Sequence, residues 1–368
     1  MKKLILILLF MLVFAIPAKA EGRYSEQFDA SGAGDINDLL SDGAAEILED
    51  MEIDPRDPEW VNNLGAENVF SKLVSFFKDG ARAPLKAGFT MLAFLLVTAA
   101  AGTFEGLRLH EDTVSYVFAL VSAAIFVSPI VSFISVCGSA VKGITTLMAG
   151  FIPVLAGILT ASGKGLTASG MSFMLLAATS AVSNIASFVV LPLMNCYLGV
   201  GLAGSVAPIG GVNRLGEGIK KTALWSLSLI LTLFIGILSV QTGVNRAADG
   251  LGVKTAKCMI GSFVPVAGGA LSESLTTLLG SLNLLKTSFG MFGAVAVAVT
   301  VLPVLIELII WRMVIYALTV AAETLGVKNR LDILVAADSV LAVLLGVLLF
   351  TAALFIISLA VVAGGGNG

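Results

Sequence analysis

The chain has 368 residues, 57% of them hydrophobic and only 13% charged, with a mean hydropathy of +0.98. A soluble core does not need so much apolar residue, so an all-α polytopic membrane protein is predicted rather than a soluble enzyme. Residues 21–80 hold 15 of the 25 Asp and Glu but only four Lys or Arg, a local net charge of −11, so a small acidic segment precedes the apolar body.

His110 is the only histidine and lies in a predicted loop, so neither a histidine-based metal site nor a Ser-His-Asp triad is expected. No catalytic residue, metal or cofactor is expected. Cys137, Cys196 and Cys258 are odd in number and lie in or beside apolar stretches. They imply no disulfide framework and read as small buried hydrophobes.

In chain order, residues 1–20 come first. Lys2 and Lys3 precede an apolar run from Leu4 to Ile16, and Ala18-Lys19-Ala20 closes it. That is the pattern of a signal peptide cleaved after Ala20, with an uncleaved anchor as the alternative. Cleavage would place the acidic segment, 21–80, outside the cytoplasm. Within it Pro55 and Pro58 exclude a continuous helix. Ile36, Leu39, Leu40, Ile47 and Leu48 recur at helical spacing, as do Val69, Leu73, Phe76 and Phe77. Short helices are therefore expected, docked on a partner or on the bilayer surface.

Residues 81–368 read as the membrane domain. Spans are predicted at about 87–104, 113–136, 222–242 and 339–363. Two stretches, 171–204 and 288–323, exceed one crossing, and each carries a proline, Pro192 and Pro303. They are expected to tilt, kink or split.

"FIPVLAG" at 151–157 returns as "FVPVAGG" at 263–269, with Phe151/Phe263, Pro153/Pro265, Val154/Val266 and Gly157/Gly269 in register. A shift of 111–112 residues also superposes Lys142 on Lys254, Ser169 on Ser281, and Pro192 near Pro303. An internal repeat is predicted, about 113–204 and 222–323, followed by the C-terminal span. Proline removes a backbone donor and glycine weakens a helix. In hydrocarbon such breaks need protein or a water-filled cavity to satisfy the freed groups. Paired breaks in two halves point to a transport pathway. The two elements, about 144–160 and 259–280, are expected to be broken or re-entrant. Counting Lys and Arg in the loops does not decide between crossing and re-entry.

The polar residues inside apolar stretches complete the candidate pathway set: Pro153, Gly157, Pro265, Gly269, Glu273, Pro303, Glu307, Arg312 and Asn184. Glu307 and Arg312 lie deep in an apolar run, where an ionisable residue is costly and so points to function. Their spacing of five puts them about 140° apart on a helix, so partners on other helices are expected. Glu307 is expected to face protein or water, within reach of a polar group or of the breaks at Pro153 and Pro265. "GVGLAG" at 199–204 fits GxGxxG, but no strand precedes it, so close helix packing is the reading. "GILTASGKG" at 157–165 has the wrong spacing for a phosphate loop and Gly165 in place of Ser or Thr.

The signal sequence, the acidic exported segment, "FIPVLAGILTASG" with its echo "FVPVAGGALSES", and the long apolar C-terminal helix together resemble the stage III sporulation protein AE family. The resemblance runs through most of residues 84–363. It implies a polytopic membrane component of the complex linking mother cell and forespore in endospore formation, required for late forespore gene expression. It also implies partnership with membrane and ring-forming proteins of a channel-like assembly, and no nucleic acid. Composition and spacing alone leave three readings open: a subunit of a channel or export assembly, a stand-alone secondary transporter, and a scaffold that conducts nothing.

Overall fold

The computed structural model describes residues 28, 31, 36, 38–57, 60–61, 64–103, 111–163, 165–206, 211, 214–229, 232, 236, 268–325 and 332–364. Every regular element among them is helical. The helices are α1 (Asp42–Asp50), α2 (Ala66–Thr103), α3 (Glu111–Ala161), α4 (Gly165–Ile185), α5 (Leu191–Val206), α6 (residues 214–229), α7 (Gly268–Thr324) and α8 (Asp332–Gly364). By length and composition, five described stretches suffice to cross a membrane: Glu67–Ala100, Tyr116–Ala161, Ala168–Ser205, Leu285–Thr324 and Ile333–Leu359.

Two helices are longer than two crossings. α3 has 51 residues and α7 has 57, about 76 and 85 Å at the helical rise, against a hydrocarbon core of about 30 Å. α3 absorbs both the predicted span 113–136 and the first Phe-x-Pro-Val element. It runs through Pro129 and Pro153 without interruption, which corrects the expected break at 144–160. Proline's φ is already helical, and its cost is one missing hydrogen bond and a clash one turn back. Pro153 meets that cost on the exposed face. Phe151, Ile152, Val154 and Leu155 are buried around it and hold the helix in line. Stretch 288–323 likewise forms one helix through Pro303.

Stretch 171–204 stays helical throughout but changes register. A π-helical segment, Ala186–Val190, joins α4 to α5, and the Leu191 N–H reaches back to the Ala186 carbonyl. The register shift falls beside Pro192, which has no N–H to contribute, and single π-turns are a common answer to such a gap.

The two predicted repeats take different courses. The first turns at Ser162 and Gly163, where Gly163 adopts φ +78°. The equivalent of Gly163 is Leu275, inside continuous α7. A left-handed residue is cheap only for glycine, so the second half has no turn there. Residues 1–20, Pro265, and most of 230–267 lie outside the described residues.

α8 is the central helix. Val340, Leu341, Leu344, Val347 and Leu348 are fully buried, and α3, α5 and α7 pack around them. α7 runs antiparallel to α3: Phe151 meets Phe289, Gly143 faces Thr300, and Phe133 and Phe126 meet Trp311. α2 runs parallel to α7. Gly80 abuts Glu307, and Gly88 abuts Val314 so closely that a Cβ there would stand 2.6 Å from its Cγ1. Small residues eight apart on one helix permit that approach.

The acidic segment folds back on the bundle. Phe28, Ile36, Leu48, Ile53 and Trp60 are buried in the common core. Phe28 packs edge-on against Phe289, and Trp60 against Phe292, with centroids 6.3 Å apart in both pairs. Leu39 covers Gly150. Lys72 Nζ of α2 donates to Asp50 Oδ2 of α1 at 2.6 Å.

Candidate functional site

The polar residues of α7 fall into two groups on different faces. Arg312 points at α8. Its Nε donates to Asp338 Oδ1 at 2.7 Å and its Nη2 to Asp338 Oδ2 at 3.2 Å. The planar guanidinium matches the carboxylate in a two-bond fork, the strongest common geometry for such a pair. Next door on α8, Ser339 Oγ accepts from Lys220 Nζ of α6 at 3.1 Å. α6, α7 and α8 thus share one polar seam. Asp338 escaped the sequence reading, although the rule that flagged Glu307 applies equally to an aspartate in an apolar run.

Glu307 lies on the other group's face. It is half-buried and lines an open cleft of about 470 Å³ between α2, α3 and α7. Lys86 and Thr90 of α2, Pro129 and Ser132 of α3, and Trp311 of α7 share the wall. Trp311 is buried, wedged edge-on by Phe126 and Phe133 with centroids 6.2 and 6.1 Å away. Its indole N–H has no hydrogen bond. The Glu307 carboxylate lies near it without closing one of good geometry.

Glu307 faces protein and the cleft, and of the two expected breaks Pro153 lies far from it, while Pro265 is outside the described residues. Pro153 sits at the level of Phe289, 18 residues before Glu307 on α7, roughly 27 Å along the axis at the helical rise. The proline beside Glu307 is Pro129, with its own Pro303 one turn earlier. Glu307's neighbour Gly80 belongs to the charged part of α2, with Lys78, Asp79, Arg82 and Lys86.

Among the described residues, the remaining candidates do not converge. Gly157 is exposed, with open space where a Cβ would stand. Asn184 is exposed on α4. Gly269 and Glu273 begin α7, but their side chains lie outside the described residues, as does all of Pro265. Phe151, the first letter of the repeated phrase, proves to be a packing hub. Its ring meets Phe289, Phe355 and Phe292 at 4.4, 5.5 and 6.4 Å. A Cβ on Gly293 would stand 2.6 Å from it.

This architecture defines a polytopic all-helical membrane protein, with a central helix, a folded-back N-terminal segment and one carboxylate-bearing cleft. A family model described as stage III sporulation protein AE (spore_III_AE) matches residues 61–366, and the chain belongs to that family. Membership carries a role in sporulation. Over 93 residues the chain is 31% identical to the stage III sporulation protein AE of Bacillus subtilis (strain 168). That stretch is 25% of this chain and 23% of the relative's length. No solved structure matches the chain. The family match begins at residue 61, after α1.

Proposed function

We propose that this protein is a membrane subunit of a channel-like or export assembly that joins mother cell and forespore during endospore formation and supports late forespore gene expression. The observation that carries the reading is the family match over residues 61–366, which takes in the helical body from α2 to α8. In this reading the protein sits in the mother-cell membrane around the forespore, catalyses no reaction and binds no nucleic acid. Its partners are the other membrane and ring-forming proteins of the complex. Ala20 is the last residue removed, and the segment from Glu21 lies outside the cytoplasm. The 112-residue echo records an old duplication whose halves have since diverged in course.

A second reading, a scaffold that conducts nothing itself, is favoured by the filled centre of the bundle. The side chains of α8 occupy the space between α3, α5 and α7. Any conduit would then run between subunits rather than through one.

The test is a deletion complemented with affinity-tagged protein in a sporulating relative. Restored forespore reporter expression, with ring-forming and membrane partners recovered from detergent extracts, is the expected result. Purification alone, with the reporter unaffected by deletion, overturns both readings. N-terminal sequencing of the mature chain should start at Glu21, and a chain retaining Met1 refutes cleavage.

A further inference from the structure

The cleft between α2, α3 and α7 holds more polar chemistry than the fold uses. Lys86 and Glu307 carry opposite charges into it, yet no ion pair joins them among the described residues. Trp311, only 2% exposed, forms part of the wall, its indole N–H enclosed beside the Glu307 carboxylate. Pro129 brings no N–H to the Ile125 carbonyl one turn back, and both residues line the cleft. Thr90 and Ser132 add two hydroxyls, and the rest of the wall is apolar: Ala83, Ala87, Phe133 and Val136. A gap between a cation and an anion suits a ligand that carries both signs and an apolar body.

The cleft's level on the bundle narrows the choice. On α2 the charges Lys78, Asp79, Arg82 and Lys86 end where an uncharged run begins, Ala87 to Ala101. Gly80 of that charged part touches Glu307. A helix that passes from charged to apolar at one level marks the boundary between headgroups and hydrocarbon. The cleft is also open at its side, so a lipid can enter it without crossing the bundle.

We propose that this cleft binds the headgroup of an aminophospholipid, a zwitterion with a primary ammonium and a phosphodiester. The ammonium donates to the Glu307 carboxylate. Lys86 pairs with the phosphate. The apolar wall takes the glycerol and the first methylenes of the chains. A choline headgroup has no N–H to offer Glu307, and a glycerol headgroup has no cation. This assignment goes beyond the role in sporulation and does not depend on it.

Delipidated full-length protein in mild detergent is titrated with phosphatidylethanolamine, phosphatidylcholine and phosphatidylglycerol of matched chains, and bound lipid is counted by native mass spectrometry. The ethanolamine lipid should bind at least tenfold more tightly than the other two. Glu307→Gln, which keeps the shape, should erase that preference. Lys86→Gln should weaken both ethanolamine and glycerol lipids. Thermal unfolding of each variant shows that the fold survives; should Glu307→Gln fail it, Lys86→Gln carries the test and should weaken the ethanolamine lipid severalfold. Equal affinity for the three lipids, or a preference that survives Glu307→Gln, overturns the proposal. Free phosphoethanolamine competing as well as the lipid overturns the lipid as the source.

Discussion

At the scale of single residues, Arg312 and Asp338 show how a charge inside an apolar helix is met by the next helix in the chain. Their side chains keep 30% and 37% of their exposure, so the pair lies between a surface bridge and a buried one. Arg312→Leu and Asp338→Leu should each cost about 1–2 kcal/mol, between the values for exposed and buried pairs. Arg312→Leu together with Asp338→Leu should recover most of it, because neither charge is then left alone. Thermal unfolding of the four proteins in detergent gives the cycle, and additive single effects would deny the pairing. The repeated phrase divides in the same way between its letters. Phe151→Ala should lower stability by about 3–5 kcal/mol through its lost packing. Pro153→Ala, on the exposed face, should leave folded yield unchanged or raise it. A larger loss at Pro153 than at Phe151 would restore the proline as the motif's essential letter.

At the scale of elements, one glycine decides where a helix stops. α3 ends because Gly163 takes a left-handed conformation, and α7 passes the equivalent place because Leu275 does not. Gly163→Leu should therefore cost about 1–2 kcal/mol, the penalty of that conformation for a residue with a Cβ. Limited proteolysis at the 162–165 turn should then quicken against wild type. The long helices also explain how far the site was legible. Glu307 was flagged by its charge in an apolar run, and Arg312 by the same rule. Their neighbours Lys86, Pro129, Ser132 and Trp311 come from three helices. No spacing in the sequence joins them, because the parallel setting of α2 on α7 arises from close packing at Gly80 and Gly88.

At the scale of the whole molecule, the acidic segment is seated on the bundle by aromatic rings. Phe28 and Trp60 continue the cluster of Phe151, Phe289, Phe292 and Phe355, and Leu39 fills the space left by Gly150. Gly150→Leu places a side chain where Leu39 now lies. It should loosen the segment while α2–α8 stay folded. Protease sites in residues 38–64 should open, and Trp60 emission should shift to longer wavelength in a background with Trp225 and Trp311 replaced by Phe. Unchanged protection would mean that the contact at Gly150 is not what seats the segment.

The sequence by itself determined the class of the protein. Fifty-seven per cent apolar residues in runs longer than a bilayer core leave helices as the spanning element, because backbone groups in lipid must pair within their own segment. Local chemistry also determined the left-handed stop at Gly163 and the disturbance near Pro192. Tertiary structure decided whether each proline breaks its helix, since packing on either side of Pro153 outweighs one lost hydrogen bond. It decided that Glu307 shares a cleft with Lys86 and Trp311 and lies far from Pro153, and that Arg312 meets Asp338. Those pairings depend on the direction and rotation of helices against one another. Such relations are set by the fit of small residues against large ones, a property of two surfaces that neither sequence segment carries alone.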